Sequence, residues 1–286
     1  MPAKSIADSL GISEPTVAAR LRALESSGSL RVVLKRCTLQ DHPAGALFRI
    51  EIFVDDPMSL DAVAAGLATA TGILSAYKTS GRPEIIATCE VPHIRDAASY
   101  LDGLAKALPG ASRISSAMIL DVRHQRPCLH NLSMPDRVAL GDPDLLRAEL
   151  RRDARQPASV IARKLGIPEA TARQKIRRLV EAPGNRIVAM RDAKAAGYAV
   201  WADLQLTVAP SQVAATFARL ERTEDIVMAT RLTGDSNLGI FIAAAEVEAL
   251  DRFVTRDIRT LPGLVTFRIL RVTDIVTTDY SVDFAL

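Results

Sequence analysis

SIADSLGISEPTVAARLRAL, residues 5–24, returns about 155 positions later as VIARKLGIPEATARQKIRRL, residues 160–179. Ile6, Ala7, Leu10, Gly11, Ile12, Glu14, Thr16, Leu21, Arg22 and Leu24 align, without a gap, with Ile161, Ala162, Leu165, Gly166, Ile167, Glu169, Thr171, Ile176, Arg177 and Leu179. Two short amphipathic helices joined by a tight turn need a small residue where they cross and a turn residue that accepts positive φ. Ala7 and Ala162 suit the crossing, and Gly11 and Gly166 suit the turn. Ile12 and Ile167 plug the corner. Val17, Leu21 and Leu24, or Ala172, Ile176 and Leu179, then give the second helix one apolar stripe. Ser13 caps that helix in the first copy, whereas Pro168 fits a first helical turn without supplying a capping oxygen. The pattern predicts a helix-turn-helix written twice; the plainer alternative is an ordinary helical hairpin in a core.

The segments after the two copies also match. A glycine and a short basic strand pair, Gly28 through Val33 and Gly184 through Met190, read as wings. After turns ending in Gly45 or Gly197 come the alternating strands LFRIEIFV (47–54) and VWADLQLTV (200–208), whose period of two implies one buried face. Helical patterns at 58–70 and 210–222 precede the strand pairs ILSAYKTS with EIIATCEV and DIVMATRLTG with LGIFIAAAE, which turn at Gly81 and Gly234. A second helix runs to Leu108 or Leu261, and a last strand to about Val122 or Val276. Strand, helix, strand, strand, helix, strand is the order of a ferredoxin-like βαββαβ sandwich, an α+β class. The expected division is a winged helix-turn-helix at 1–38, a sandwich at 45–122, a linker at 123–141, a second winged helix-turn-helix at 142–192 and a second sandwich at 198–280.

The two helix-turn-helix copies differ at their starts. PDLLRAELRRDAR precedes copy two, and its Leu145, Leu146 and Leu150 would cover the turn motif; copy one begins only a few residues before Ile6. The first unit is therefore expected either to have a start further upstream than Met1 or to be locally loose, with Leu10 and Leu21 short of cover.

Charge is partitioned in the same way. Between Asp144 and Arg191 there are 12 Arg and Lys against 5 Asp and Glu, and between Met1 and Arg36 there are 6 against 3, so the remainder of this +3 chain is acidic at −7. A basic segment coinciding with both motifs is the electrostatic footprint of a duplex DNA binder. With Ala172, Ile176 and Leu179 inward, the opposite face of the second helix carries Thr171, Gln174, Arg177 and Arg178, flanked by Arg163, Lys164, Arg173 and Lys175. Arg reads guanine and Gln reads adenine in the major groove, while neighbouring cations hold phosphates. Copy one offers Thr16 and Arg22, with Arg20 beside them.

At 286 residues, 48% apolar and 24% charged, the chain has the composition of an ordered globular protein. A 4% aromatic share argues against stacking platforms for single strands. No apolar run reaches a membrane span and no signal-peptide succession opens the chain, so a cytoplasmic protein without a membrane partner is expected. Cys37, Cys89 and Cys128 are widely spaced and odd in number, which indicates free thiols rather than disulfides or zinc. No metal or cofactor is expected, and no GxSxG, HExxH or phosphate loop occurs.

A winged helix-turn-helix followed by this sandwich resembles the Lrp/AsnC family of transcription regulators, here in tandem. The resemblance is carried by IARKLGIPEATARQKIRRL, by the wing followed by RDAKAAGY, and by RLTGDSNLGIFI. It implies a double-stranded-DNA-binding regulator whose sandwich, the RAM or effector domain, pairs with a second sandwich and binds a small molecule, an amino acid among the candidates, near the interface. Gly81 and Glu84 in copy one and Gly234, Asp235 and Asn237 in copy two occupy the matching loops; a plain hairpin turn accounts for the same residues. Two sandwiches in one chain are expected to pair with each other, with homo-oligomers built on that unit. Siroheme decarboxylases resemble the same architecture and use histidine and arginine near the wing, a region where this chain has His42 in copy one but Ala193 in copy two. An assembly protein with a decayed first DNA-binding unit is the third class.

Overall fold

The computed structural model describes residues 3–37, 45–124, 129–130, 144–223, 226–279 and 282–283. The first helical unit is α1 (Ala3–Leu10) and α2 (Glu14–Ser26). The second is α5 (Leu145–Arg152), α6 (Ala158–Leu165) and α7 (Glu169–Glu181). The turn glycines behave alike: Gly11 has φ +64° and Gly166 φ +65°, the left-handed region where a Cβ is strained. Ala7 and Ala162 are both buried at the helix crossing. Ser13 caps α2, its hydroxyl accepting from the Thr16 amide at 3.3 Å, and Pro168 opens α7 with no side-chain cap. One member of the expected stripe departs from it: Leu24 is 44% exposed, and among the described residues no helix lies over that end of α2.

The wings are not hairpins. Each is one strand, β1 (Leu30–Cys37) and β7 (Asn185–Asp192), and the two pair antiparallel with each other, Val33 opposite Val188. Their backbone groups thus find partners across the chain rather than in a local turn. Two short strands extend the ribbon in parallel, β12 (Val282–Asp283) beside β1 and β6 (Leu129–His130) beside β7.

Between the helical units the chain forms β2 (Ala46–Phe53), α3 (Leu60–Thr69), β3 (Ile73–Thr79), β4 (Ile85–Val91), α4 (Ala97–Ala107) and β5 (Arg113–His124). After them it forms β8 (Val200–Val208), α8 (Val213–Leu220), β9 (Ile226–Leu232), β10 (Leu238–Ala244), α9 (Val247–Phe253) and β11 (Leu264–Thr278). Alternation in the central strands sends Ile50 and Ile52 against Val63, Leu67 and Leu104, and Leu204 and Leu206 against Phe217, Leu250 and Phe253. The other sheet faces look at each other. Two edge pairings, β3 with β11 and β5 with β9, close all eight strands into one barrel of order β10-β8-β11-β3-β4-β2-β5-β9. Closure removes the open edges that isolated sheets would present.

It also shortens the expected linker. Because β9 offers an edge, β5 runs through His124, Arg123 lies opposite Ala229, and Arg123 Nε reaches Glu221 at 2.7 Å. Residues 129–130 join the wing ribbon; the rest of 125–141, Cys128 included, lies outside the described residues, as does His42. No helix among the described residues is long and apolar enough to cross a membrane.

Candidate functional site

The second helical unit has a complete interior. Leu146 and Leu150 from α5 and Ile161 from α6 are buried together, with Leu165, Ile176, Leu179 and Val180 packed around them. Leu34, from β1 of the first half, fills the same core. With Ala172 inward, α7 presents Gln174, Lys175, Arg177 and Arg178 as exposed side chains, and Thr171 sits half-buried at the edge of that face. Arg173 is exposed and held by Glu169 one turn away at 2.5 Å. Lys164 is a strut: its ammonium reaches Glu149 on α5 at 2.5 Å and the Gln156 side-chain carbonyl at 2.7 Å. That contact, with Gln156 adding a second hydrogen bond, holds the Glu149 carboxyl below the usual carboxylate range. Lys164 therefore ties α5 to α6 instead of extending the cationic face.

The first unit lacks that support. Leu10 is 62% exposed, and Leu21, though half-buried, has among the described residues no helix of its own laid across it. Thr16 spends its hydroxyl on Ser13 at 2.7 Å, while Arg20 and Arg22 are exposed. Across the wing ribbon, Leu34 is buried beneath α5, but Ala189 at the matching place on β7 is exposed. The two units are braced by Arg155 to Glu25 at 2.6 Å and by the Ala154 amide to the Val32 carbonyl at 2.8 Å.

The loops singled out as ligand candidates each lean on the opposite half. Ser80 N donates to the Arg271 carbonyl at 2.8 Å, and Thr233 exchanges two bonds with Met118, at 3.0 and 2.8 Å. A Cβ on Gly81 would stand 2.9 Å from Leu270 Cδ2, the end of a side chain that can turn aside, so the first loop packs closely on the opposite half. Glu84 accepts from the Val54 amide at 3.0 Å. Asn237 fastens its loop to β8, accepting from the Val208 amide at 3.0 Å and donating to the Val208 carbonyl at 2.7 Å. Gly234 has φ +100°, and Asp235 is exposed, its backbone carbonyl taken by the Thr207 hydroxyl at 2.8 Å. The side chains of Glu84 and Asn237 thus shape the loops.

Sequence reasoning missed an arginine cluster beside the first loop. Arg82 pairs with Asp55 at 2.6 Å, and this hydrogen bond holds the Asp55 carboxyl below its ordinary range. Arg113 stacks over the Phe53 ring at 3.7 Å, and Arg268 from the other half donates to the Arg82 carbonyl at 2.8 Å. Arg82 stands next to Gly81 in the chain, but nothing local announces Arg268, 186 residues on. Cys89 is buried, which pushes its thiol up to about 12. Among the described residues no three metal-ligating side chains gather.

The Lrp/AsnC ligand binding domain model matches residues 202–282. An HTH-type transcriptional regulator of Methanocaldococcus jannaschii is 30% identical over 132 residues, which is 45% of this chain and 84% of that protein. An uncharacterized HTH-type transcriptional regulator of Pyrococcus abyssi is 23% identical over 116 residues, 40% of this chain and 73% of its own. Among solved structures, the siroheme decarboxylase NirDL in complex with an iron-uroporphyrin III analogue shares the fold over 97% of this chain and 87% of its own, with a TM-score of 0.60 and 14% identity. The matched domain and the match to a named regulator across most of that protein's length place this chain in the Lrp/AsnC family of HTH-type transcriptional regulators.

Proposed function

We propose that the chain is a regulator that binds double-stranded DNA through its second helix-turn-helix and answers to a small molecule. In this reading the molecule is two winged helix-turn-helix units, each followed by a ferredoxin-like RAM sandwich, so that one chain does the work of a family dimer and assembles further as a homo-oligomer. The observation that carries it is α7: a helix seated on a complete core, presenting Gln174, Lys175, Arg177 and Arg178 outward. Guanidinium and carboxamide groups on one exposed helical face are the chemistry of major-groove readout, and the surrounding positive balance supplies phosphate contacts. Duplex fragments selected by genomic footprinting test the reading. Affinity is expected to fall steeply between about 50 and 200 mM salt, on the order of a decade per few phosphate contacts. A flat response overturns it.

The effector belongs, in this reading, at the junction where the Gly81 and Gly234 loops meet the opposite half, with Asp235 and the Arg82–Arg113 pair as its polar walls. Amino acids are the first class to try, and a thermal-shift panel that moves with one of them supports the site. The enzyme reading rests on fold likeness, which at 14% identity carries architecture and no chemistry. A tetrapyrrole absorption band in the purified protein would turn the argument toward it.

A further inference from the structure

Where the two sheets face each other, the central strands meet at matching positions. Arg49 on β2 and Asp203 on β8 stand 154 residues apart and form a two-pronged ion pair, at 2.7 and 2.8 Å. Gln205 donates to Glu51 at 2.5 Å across the same interval of 154. That spacing is the offset that superposes β2 on β8, with Ile50 and Ile52 answering Leu204 and Leu206. Each contact is therefore one position of the repeat meeting its own counterpart across a local twofold axis. The pair is deep: Arg49 is 8% and Asp203 2% exposed. Tyr77 donates to Asp203 Oδ2 at 2.6 Å, and Arg268 reaches Glu51 at 3.3 Å. Burial opposes the Arg49 charge, yet Asp203 and Tyr77 outweigh it and raise the guanidinium pKa; burial and Asp203 also push the Tyr77 hydroxyl up, keeping it a donor.

At a twofold axis a residue meets the residue at its own position. If two copies of the first half paired, Arg49 would face Arg49 and Glu51 would face Glu51. If two copies of the second half paired, Asp203 would face Asp203. Like charges brought together away from water are strongly disfavoured, while the unlike pair meets through two charge-assisted hydrogen bonds. We propose that positions 49 and 203, seconded by 51 and 205, are a pairing code: the inner face of the first half accepts the inner face of a second half and rejects a copy of itself. The barrel then forms from unlike halves, whether both come from one chain or are exchanged between two. Discrimination comes as much from the repelled pairings as from the attractive one.

Charge reversal in the full chain tests this by assembly state, independently of DNA binding. R49D sets two carboxylates against each other within one chain, and D203R sets two guanidinium groups. Each is expected to melt well below the parent, and the double variant R49D/D203R to recover most of the loss. When the single variants are unfolded together and refolded, the first half of the R49D chain suits the second half of the D203R chain, and the reverse. Native mass spectrometry should then show a crossed 1:1 heterodimer favoured by about tenfold or more over either variant with itself. Mixing that leaves each variant in the species it forms alone would overturn the proposal. Should the single variants fail to fold, a cysteine reporter decides. In a background with Cys37 and Cys128 changed to Ser, E51C should give no interchain disulfide, because first halves do not meet. E51C/R49L/D203L should give one. Equal cross-linking in both, or none in either, would show that the charges do not select the partner.

Discussion

The two helix-turn-helix units spell nearly the same motif and end with different physics. Both turn on a left-handed glycine and both cross on an alanine, yet only the second has α5 laid across it. The consequence is visible in one pair of equivalent residues. Leu165 packs into the core of the second unit, while Leu10 is 62% exposed. The motif codes for the corner; the stability of the corner depends on what covers it. The wing ribbon repeats the lesson, since Leu34 reaches across to finish the second core while Ala189 has nothing comparable to fill.

The largest test of this contrast is cavity formation. Leu150→Ala, at 1% exposure, should cost about 2–5 kcal/mol of the second unit's stability, whereas Leu10→Ala should stay within about 0.5 kcal/mol. Urea unfolding monitored at the two units checks both, and equal effects would break the comparison. Leu34→Ala sharpens it: the change is made in the first half, but the loss, about 2 kcal/mol or more, should be read out in the second unit. Native-state hydrogen exchange should rank the units the same way. Amides from Ser5 to Leu24 are expected to exchange far faster than those from Val160 to Leu179, because fewer apolar contacts hold them. Equal protection would mean that the first unit has found its cover elsewhere.

A smaller effect is electrostatic. The Glu149 carboxyl titrates below its ordinary value near 4.5 because Lys164 and Gln156 bond it. A carboxyl depressed on folding stabilises above its unfolded pKa and loses that contribution as pH falls through the folded value. The second unit should therefore lose less than about 1 kcal/mol between about pH 5 and the folded value, the Lys164 partner being 43% exposed and screened. Glu149→Gln should flatten that part of its pH–stability curve.

Much of this was legible in the residues. Gly11, Gly166, Ser13 and Pro168 act through neighbours a few positions away, so their roles could be read from spacing. The strand and helix order was readable for the same reason, since period-two and helical patterns are local. What escaped was long-range. Gly28 through Val33 read as a short basic strand pair, and only the partner strand, some 155 residues later, shows this stretch to enter one side of a ribbon. Nothing local to Arg49 in its alternating strand announces Asp203, 154 residues on. The candidate DNA face was found from the helical period, but the engagement of Lys164 with Glu149 and Gln156 was not, because it depends on how α5 lies over α6.

In the proposed reading the second unit dominates DNA binding over the first. The most direct measurement compares two double variants of the full chain on one footprinted duplex at fixed salt. Gln174→Ala with Arg177→Ala should lose about 1–3 kcal/mol for each base contact removed and blur the sequence preference, while Thr16→Ala with Arg22→Ala should change affinity by less than about twofold. Equal losses, or a loss confined to Thr16 and Arg22, would contradict the account.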